Sequence, residues 1–356
     1  MVGMGKGKRE GRPPMRPLTP RRLLSVCAIL AGVLFVAVVF SLRLGAYSIS
    51  SRDIVMTLIN GMIGRTNQIP SEFSLVVFGL RLPRIALGIL VGASLSVAGA
   101  GFQALLRNPL ADPYVLGVSS GAALGAILSL SLAPHSPLAM QAAAFLGAVG
   151  TIAAVYFLGR RGGQLDSSTL LLAGIISASF LSAIISFLMT TLAGRDLRGM
   201  AFWLMGDLSS APPADPGRWF GWLFFVFFIA AGAIYTTASD LNLILTGEEE
   251  ARHLGVHVGR VKLVVYVSAS LLTGLAVSVS GSIGYVGLLV PHVIRMIFGS
   301  DYRLLIPATA IGGAIAIVFA DTLARMVVAP TELPVGAMTA LAGAPVFIYL
   351  LRRRMR

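Results

Sequence analysis

Few residues of this chain could do covalent or metal chemistry, and none is arranged for it. The sequence holds 4 histidines and 1 cysteine. His253 and His257 stand four apart, the spacing that puts two metal ligands on one helix face, but Gly255 between them is a helix stop. His135 and His292 stand alone. Cys27 lies inside an apolar run, so neither a disulfide framework nor a cysteine-based metal site can be built. There is no Gly-rich phosphate loop closing on Gly-Lys-Ser/Thr, no His-Glu-x-x-His zinc helix and no Gly-x-Ser-x-Gly nucleophile turn. What remains is charge at the ends of apolar runs: Arg81 and Arg84 before one run, Arg107 after it, and Asp321 with Arg325 one turn apart in another. Their chemistry is ion pairing and recognition.

The elements that must carry these charges follow from composition. The 356 residues are 56% hydrophobic and only 12% charged, with 40 glycines, and the mean hydropathy is +0.84. Soluble domains carry about a quarter charged residues, so the chain is predicted to be an all-α, polytopic membrane protein. Glycine suits close helix packing in lipid. The net charge of +13 is scattered at span ends, with no soluble domain to present it, so nucleic acid is not an expected partner.

A hydrocarbon core about 30 Å thick needs roughly 20 apolar residues per helix. About ten runs qualify: 23–42, 82–106, 114–133, 138–159, 169–191, 218–238, 261–281, 284–298, 304–326 and 335–351. Of these, 284–298 is short and 114–133 opens on a Gly/Ser-rich stretch. Such segments mark broken helices along a pathway or plain small-residue packing. Ser96-Val-Ala-Gly99 with Pro109 matches Ser278-Val-Ser-Gly281 with Pro291 at one constant offset, which suggests two related halves.

Basic residues set the expected orientation. With the N-terminus inside, the cytoplasmic side collects the tail from Lys6 to Arg22, then Arg107, Arg160, Arg161, Arg252, Arg260, Lys262, Arg295, Arg303 and the run from Arg352 to Arg356. Both termini are therefore expected in the cytoplasm, with Arg81, Arg84 and Arg325 outside. Residues 1–22 read as a basic tail and 23–356 as one transmembrane domain. Its most structured inside loop spans 240–260. There Thr246 can cap a helix whose first turn holds Glu248, Glu249 and Glu250, and Gly255 can stop it. Two short helices joined near Gly247, with Leu241, Leu243, Leu245 and Leu254 exposed, would offer a surface to another protein.

These motifs together resemble the permease subunits of the iron-siderophore, haem and vitamin B12 importers, the type II ATP-binding-cassette importers. The resemblance covers nearly the whole chain after about residue 40. It rests on Arg-Leu-Pro-Arg at 81–84, the run from Ala100 to Pro113, Leu116 to Gly125, Leu170 to Gly174, and Trp203 to Leu208. The loop from Gly247 to Gly255, Gly281 to Arg295, Asp321 to Arg325, Glu332 to Gly336 and Gly343 to Phe347 extend it.

The resemblance implies a fold with related halves and a role for each end. Arg81, Arg84 and Arg325 would dock a substrate-binding protein on the outer face by taking up its glutamates. Gly247, Glu248, Ala251, Leu254 and Gly255 would couple to an ATPase. Asn108 and Leu110, with Ser167 and Ser168, would form a cytoplasmic gate, although Asn-Pro and Asp-Ser-Ser are equally good turn and cap formers. Asp166 departs from the small polar residue expected beside that gate. The chain would be a homodimer in a bacterial cytoplasmic (inner) membrane with two ATPase copies. It would need no cofactor of its own, ATP and Mg being bound by the ATPase, and would not itself be an enzyme. The cargo would be an iron chelate, siderophore or haem, with cobalamin as the alternative. An ion-coupled secondary transporter is the remote rival, and Asp321 is the one acid placed to serve it.

Overall fold

The structure is a computed structural model. It describes residues 18–354 except 46, 48, 65–69, 133–135, 162–163, 192–196, 210–215 and 330. The tail before residue 18 and His135 lie outside the described residues.

The chain is a bundle of helices. In order they are α1 (Pro20–Arg43), α2 (Ser51–Met62) and α3 (Ser71–Ser74), which runs through a π-helical stretch, Leu75–Arg81, into α4 (Leu82–Leu105). After a 3₁₀ turn at Pro113–Leu116 come α5 (Val118–Leu132) and α6 (Pro137–Leu158), then a minimal antiparallel ladder of β1 (Arg160–Arg161) and β2 (Gln164–Leu165). The rest is α7 (Ser167–Thr191), α8 (Leu197–Leu204), α9 (Pro216–Thr236), α10 (Ala238–Ile244), α11 (Glu248–His253), α12 (Val258–Ser280), α13 (Val286–Phe298), α14 (Tyr302–Met326) and α15 (Val335–Arg354). Among the described residues, seven helices are long and apolar enough to cross a membrane. The other three predicted spans are the shorter apolar helices 118–132, 286–298 and 335–350.

Local sequence sets the starts. Thr19 before Pro20 and Ser136 before Pro137 each cap a helix whose first residue is proline, a position that needs no N–H. Asp301 caps α14 in the same way, accepting from the Arg303 amide.

Helix α4 is the axis of the bundle, buried without exception from Leu90 to Leu106. It packs on α14, α12 and α13, and α12 packs in turn on α6 and α9. Backbones meet where side chains vanish. A Cβ on Gly92 would sit 2.1 Å from the Gly313 carbonyl oxygen, and one on Gly99 would sit 1.8 Å from that of Gly287. On α5, Gly121 and Gly125 seat the same way against Gly147 and Ala143 of α6. In lipid this close approach, with its dispersion contacts, replaces hydrophobic burial as the packing force. The repeat in the sequence has its counterpart here: Gly92 packs α4 on α14, and Gly274, at the same offset as Gly99 to Gly281, packs α12 on Ala148 of α6. Because α4 ends where α12 begins, beside Glu248, the two helices are antiparallel.

The two doubtful spans are shorter than expected because each has an irregular lead-in. α5 begins at Val118, after the 3₁₀ turn. α13 begins at Val286, after Gly281 (φ +66) and Tyr285 (φ +68), both left-handed. The lead-ins meet beside the middle of α4: Tyr114 Oη donates to the Ile283 carbonyl at 3.1 Å and accepts from the Ile283 amide at 3.0 Å. Irregular backbone is thus buried in protein and internally paired, as it must be at membrane depth. Gly281 has no alternative there, since a Cβ would lie 1.9 Å from the Trp203 carbonyl oxygen.

Candidate functional site

The predicted site residues fall at the two ends of the bundle. At one end the π-helical stretch brings Arg81 under the segment after α1, where its guanidinium donates to the carbonyls of Leu42 and Tyr47. One turn on, Arg84 donates from Nε to Asp321 Oδ1 at 2.8 Å and from Nη1 to Glu332 Oε2 at 2.6 Å. Arg325, one turn past Asp321 on α14, holds its Nε 3.1 Å from Asp321 Oδ2, an ion pair without hydrogen-bond geometry. Its Nη2 donates to Ser41 Oγ at 2.7 Å.

The structure gathers Arg81, Arg84 and Arg325 at one end of the bundle and turns their guanidinium groups inward. Arg81 and Arg325 are 5% and 6% exposed and spend their N–H groups inside the protein, so they are not free forks on a surface. Desolvation explains the arrangement: a guanidinium off the water must find acceptors within the chain, and Asp321, 2% exposed, serves two of them. Among the described residues of the cluster, it is the Arg84 edge facing Glu332 that ends on an exposed group, a carboxylate whose side chain is 44% exposed.

At the opposite end, α10 and α11 form the expected pair of short helices. Two details differ from the sequence reading. Thr246 does not cap α11; its hydroxyl donates back to the Leu243 carbonyl at 2.7 Å, and Gly247 occupies the cap position. Leu241 is 3% exposed and belongs to the core, whereas Leu245 and Leu254 are 43% and 66% exposed. Ala251 is fully buried, so it seats α11 on the bundle and cannot itself touch a partner. Gly255, at φ +88, turns the chain out of α11 as predicted.

Three core helices grip this loop. Lys262 of α12 pairs with Glu248 at 2.7 Å, and Arg107, just past α4, lies 3.9 Å from the same carboxylate while donating to the Ile244 carbonyl at 2.8 Å. Asn242 of α10 donates to Asp301 Oδ1 at 2.8 Å and accepts from the Tyr302 amide at 2.9 Å, tying the loop to α14. Burial would raise the Asp301 carboxyl, but hydrogen bonds from Arg303 and Asn242 outweigh it and hold it below the usual carboxylate range.

The predicted gate residues also come together. Ser167 Oγ, at the start of α7, donates to the Leu105 carbonyl at 3.2 Å, next to the turn in which Asn108 Oδ1 accepts from the Leu110 amide at 3.0 Å. Ser168 is exposed beside it. Asp166 caps α7 by accepting from the Thr169 amide at 2.8 Å, which accounts for an acid at that position. Asn108 and Asp166 thus perform the turn and cap chemistry their sequence also allowed. Among the described residues no group of three or more His, Cys, Asp or Glu side chains is placed to hold a metal ion.

Sequence reasoning paired Asp321 with Arg325 but missed its bond to Arg84, the Glu332 contact, and the Lys262 and Arg107 grip on Glu248. A signal was available: Asp and Glu number only 15 in the whole chain, and each acid at a span end needs a cation within reach.

Comparison with known proteins gives concordant findings. A model of the FecCD transport family matches residues 33–353. The hemin transport system permease protein HmuU of Yersinia pestis is 38% identical over 347 residues, 94% of this chain and 96% of its own. The cobalamin import system permease protein BtuC of Halobacterium salinarum is 42% identical over 286 residues, covering 80% of this chain and 76% of its own. A solved chain described as a metal-chelate type ABC transporter in an inward-facing conformation superposes with a TM-score of 0.77 at 30% identity, covering 93% of this chain and 99% of that one.

Proposed function

Because the chain belongs to the FecCD transport family, we propose that it is the membrane-spanning permease subunit of an ATP-driven importer carrying an iron chelate, siderophore or haem. One observation carries this reading: the bundle holds a charged arginine cluster at one end and an exposed two-helix loop, clamped to three core helices, at the other. The Arg84 end would face outward and receive a substrate-binding protein, with Arg81 and Arg325 supporting Arg84. The α10–α11 loop would meet an ATPase in the cytoplasm, where ATP and Mg are bound and hydrolysed by that subunit. Two copies of the chain would enclose the path, with Asn108, Leu110, Ser167 and Ser168 closing it on the ATPase side.

The iron-chelate reading is supported by the haem-transport relative, which aligns over a larger share of both chains, while the cobalamin-import one is the more identical over the part it covers. Cobalamin is the second reading. A secondary transporter fits less well, since Asp321 is already neutralised by Arg84 and Arg325.

Reconstitution with the neighbouring ATPase and binding protein tests the reading. Uptake of labelled ferric siderophore or haem that stops on adding vanadate is the expected result. Uptake indifferent to vanadate would remove the importer assignment, and uptake of cobalamin alone would replace the cargo.

A further inference from the structure

We propose that Glu332 is an internal stand-in for the partner's carboxylate: it covers the outward edge of Arg84 until a docking protein displaces it. This rests on the reading of the Arg84 end as the docking face. The guanidinium is held from within, because Nε is bound to Asp321, whose side chain is 3% exposed. The planar fork is thereby fixed, and its Nη1 edge points outward to Glu332. Among the described residues, it is the guanidinium edge of the cluster that ends on an exposed side chain, and it is already occupied by the chemistry a partner glutamate would bring.

The exchange is balanced in charge. The cluster contains Arg81, Arg84, Arg325, Asp321 and Glu332, and it keeps the same sum when one carboxylate leaves Arg84 as another arrives. It is also easily reversed, since an ion pair with one half-exposed member is worth about 1 kcal/mol or less, roughly a fivefold change in affinity. Glu332 stands in a non-helical stretch three residues before α15. Backbone bonds on either side hold that stretch in place: before Glu332 the Thr331 amide donates to the Val328 carbonyl at 3.0 Å, and after it the Leu333 amide donates to the Ala324 carbonyl at 3.2 Å and the Gly336 amide to the Gly206 carbonyl at 3.4 Å. Releasing Glu332 frees one side chain without undoing the start of α15.

The test uses the complete transporter, permease with its ATPase in lipid nanodiscs, and measures capture of its own substrate-binding protein by surface plasmon resonance. E332Q keeps the shape and removes the competing charge; capture should tighten about two- to fivefold, with the gain shrinking at high salt. R84Q should abolish capture, and R84K, which keeps a cation beside Asp321 but cannot fork, should weaken it. If the Arg84 variants lose capture while E332Q binds as wild type or more weakly, Glu332 is no mask, and the docking reading stands without it. If both Arg84 variants bind normally, the docking face is elsewhere and the proposal falls with it.

Discussion

The two ends of this bundle handle charge by opposite rules. At the Arg84 end every ion but Glu332 is buried and held from within: Arg81, Arg325 and Asp321 are all 6% exposed or less, and the Arg84 side chain is 12% exposed. At the Glu248 end the shared carboxylate and Arg107 stay partly in water, at 26% and 40%, although Lys262 is at 11%, and the seat of the two short helices is apolar, made by Leu241, Ile244 and Ala251. A buried ion pair is strong only while complete, and losing one member strands the other in a medium that cannot solvate it. A half-exposed pair contributes little to the fold but can be broken and remade. The first end is thus built to hold one shape, and the second to move against a neighbour without unfolding anything.

The largest expected effect tests the first rule. Asp321→Ala leaves Arg84 and Arg325 facing each other without their shared carboxylate, which should cost about 3–5 kcal/mol. Thermal unfolding in detergent reads this directly. A loss below about 1 kcal/mol would mean the cluster is wetter than its burial implies, and the contrast between the ends would fade.

What joins the ends is the glycine-seated core, and it ranks next. Gly99→Ala drives a methyl toward the Gly287 carbonyl oxygen, 1.8 Å from its ideal position, so α4 and α13 must part. Overpacking of this kind costs about 1–3 kcal/mol. Gly150→Ala, where a Cβ meets nothing within 4 Å, is the matched control and should be neutral or gain up to about 1 kcal/mol, since alanine is the better helix former. A gain in both would show that helix propensity, not backbone contact, governs these positions.

The core was also the most legible part of the sequence. Apolar runs about twenty residues long announced the spans, and the match of Gly99 with Gly281 announced the halves. What escaped was everything set by distant pairing. Nothing local to Glu332 says that it lies on Arg84, 248 positions away, and nothing near Leu241 tells a core leucine from an exposed one on a helix of 7 residues. The lead-ins before α5 and α13 were visible as Gly-rich sequence. Their meeting through Tyr114 and Ile283 was not, because it is a contact between halves and leaves no mark on the periodicity of either.

A smaller effect on stability, with a larger one on function, is expected at the second end. Glu248→Ala removes the Lys262 pair, worth about 1 kcal/mol at most at a carboxylate that is partly exposed. It should leave folding and ATP hydrolysis in place while transport falls, because α11 is no longer tied to α12. Leu254→Glu, at a side chain pointing away from the bundle, should change stability by less than about 0.5 kcal/mol yet prevent co-purification of the ATPase. If Glu248→Ala transports normally, the grip on α11 is not a coupling contact. If Leu254→Glu still retains the ATPase, the exposed face of the loop is not where it binds.

The least disruptive prediction separates charge from shape at this end. Asp301 holds Asn242, and so ties α10 to α14, with its carboxyl below the usual range. A folded-state pKa below the unfolded one stabilises at every pH above the unfolded value, about 3.9, and the gain disappears as pH falls through the folded value. The clasp should therefore be indifferent to pH between about 5 and 8 and weaken only below about 4. Asp301→Asn keeps the shape and cannot titrate. The melting temperature of wild type should exceed that of the variant by a constant margin at neutral pH, and the margin should close toward pH 3. No margin at neutral pH would assign the clasp to shape alone, and the contrast drawn from charge would then not extend to this contact.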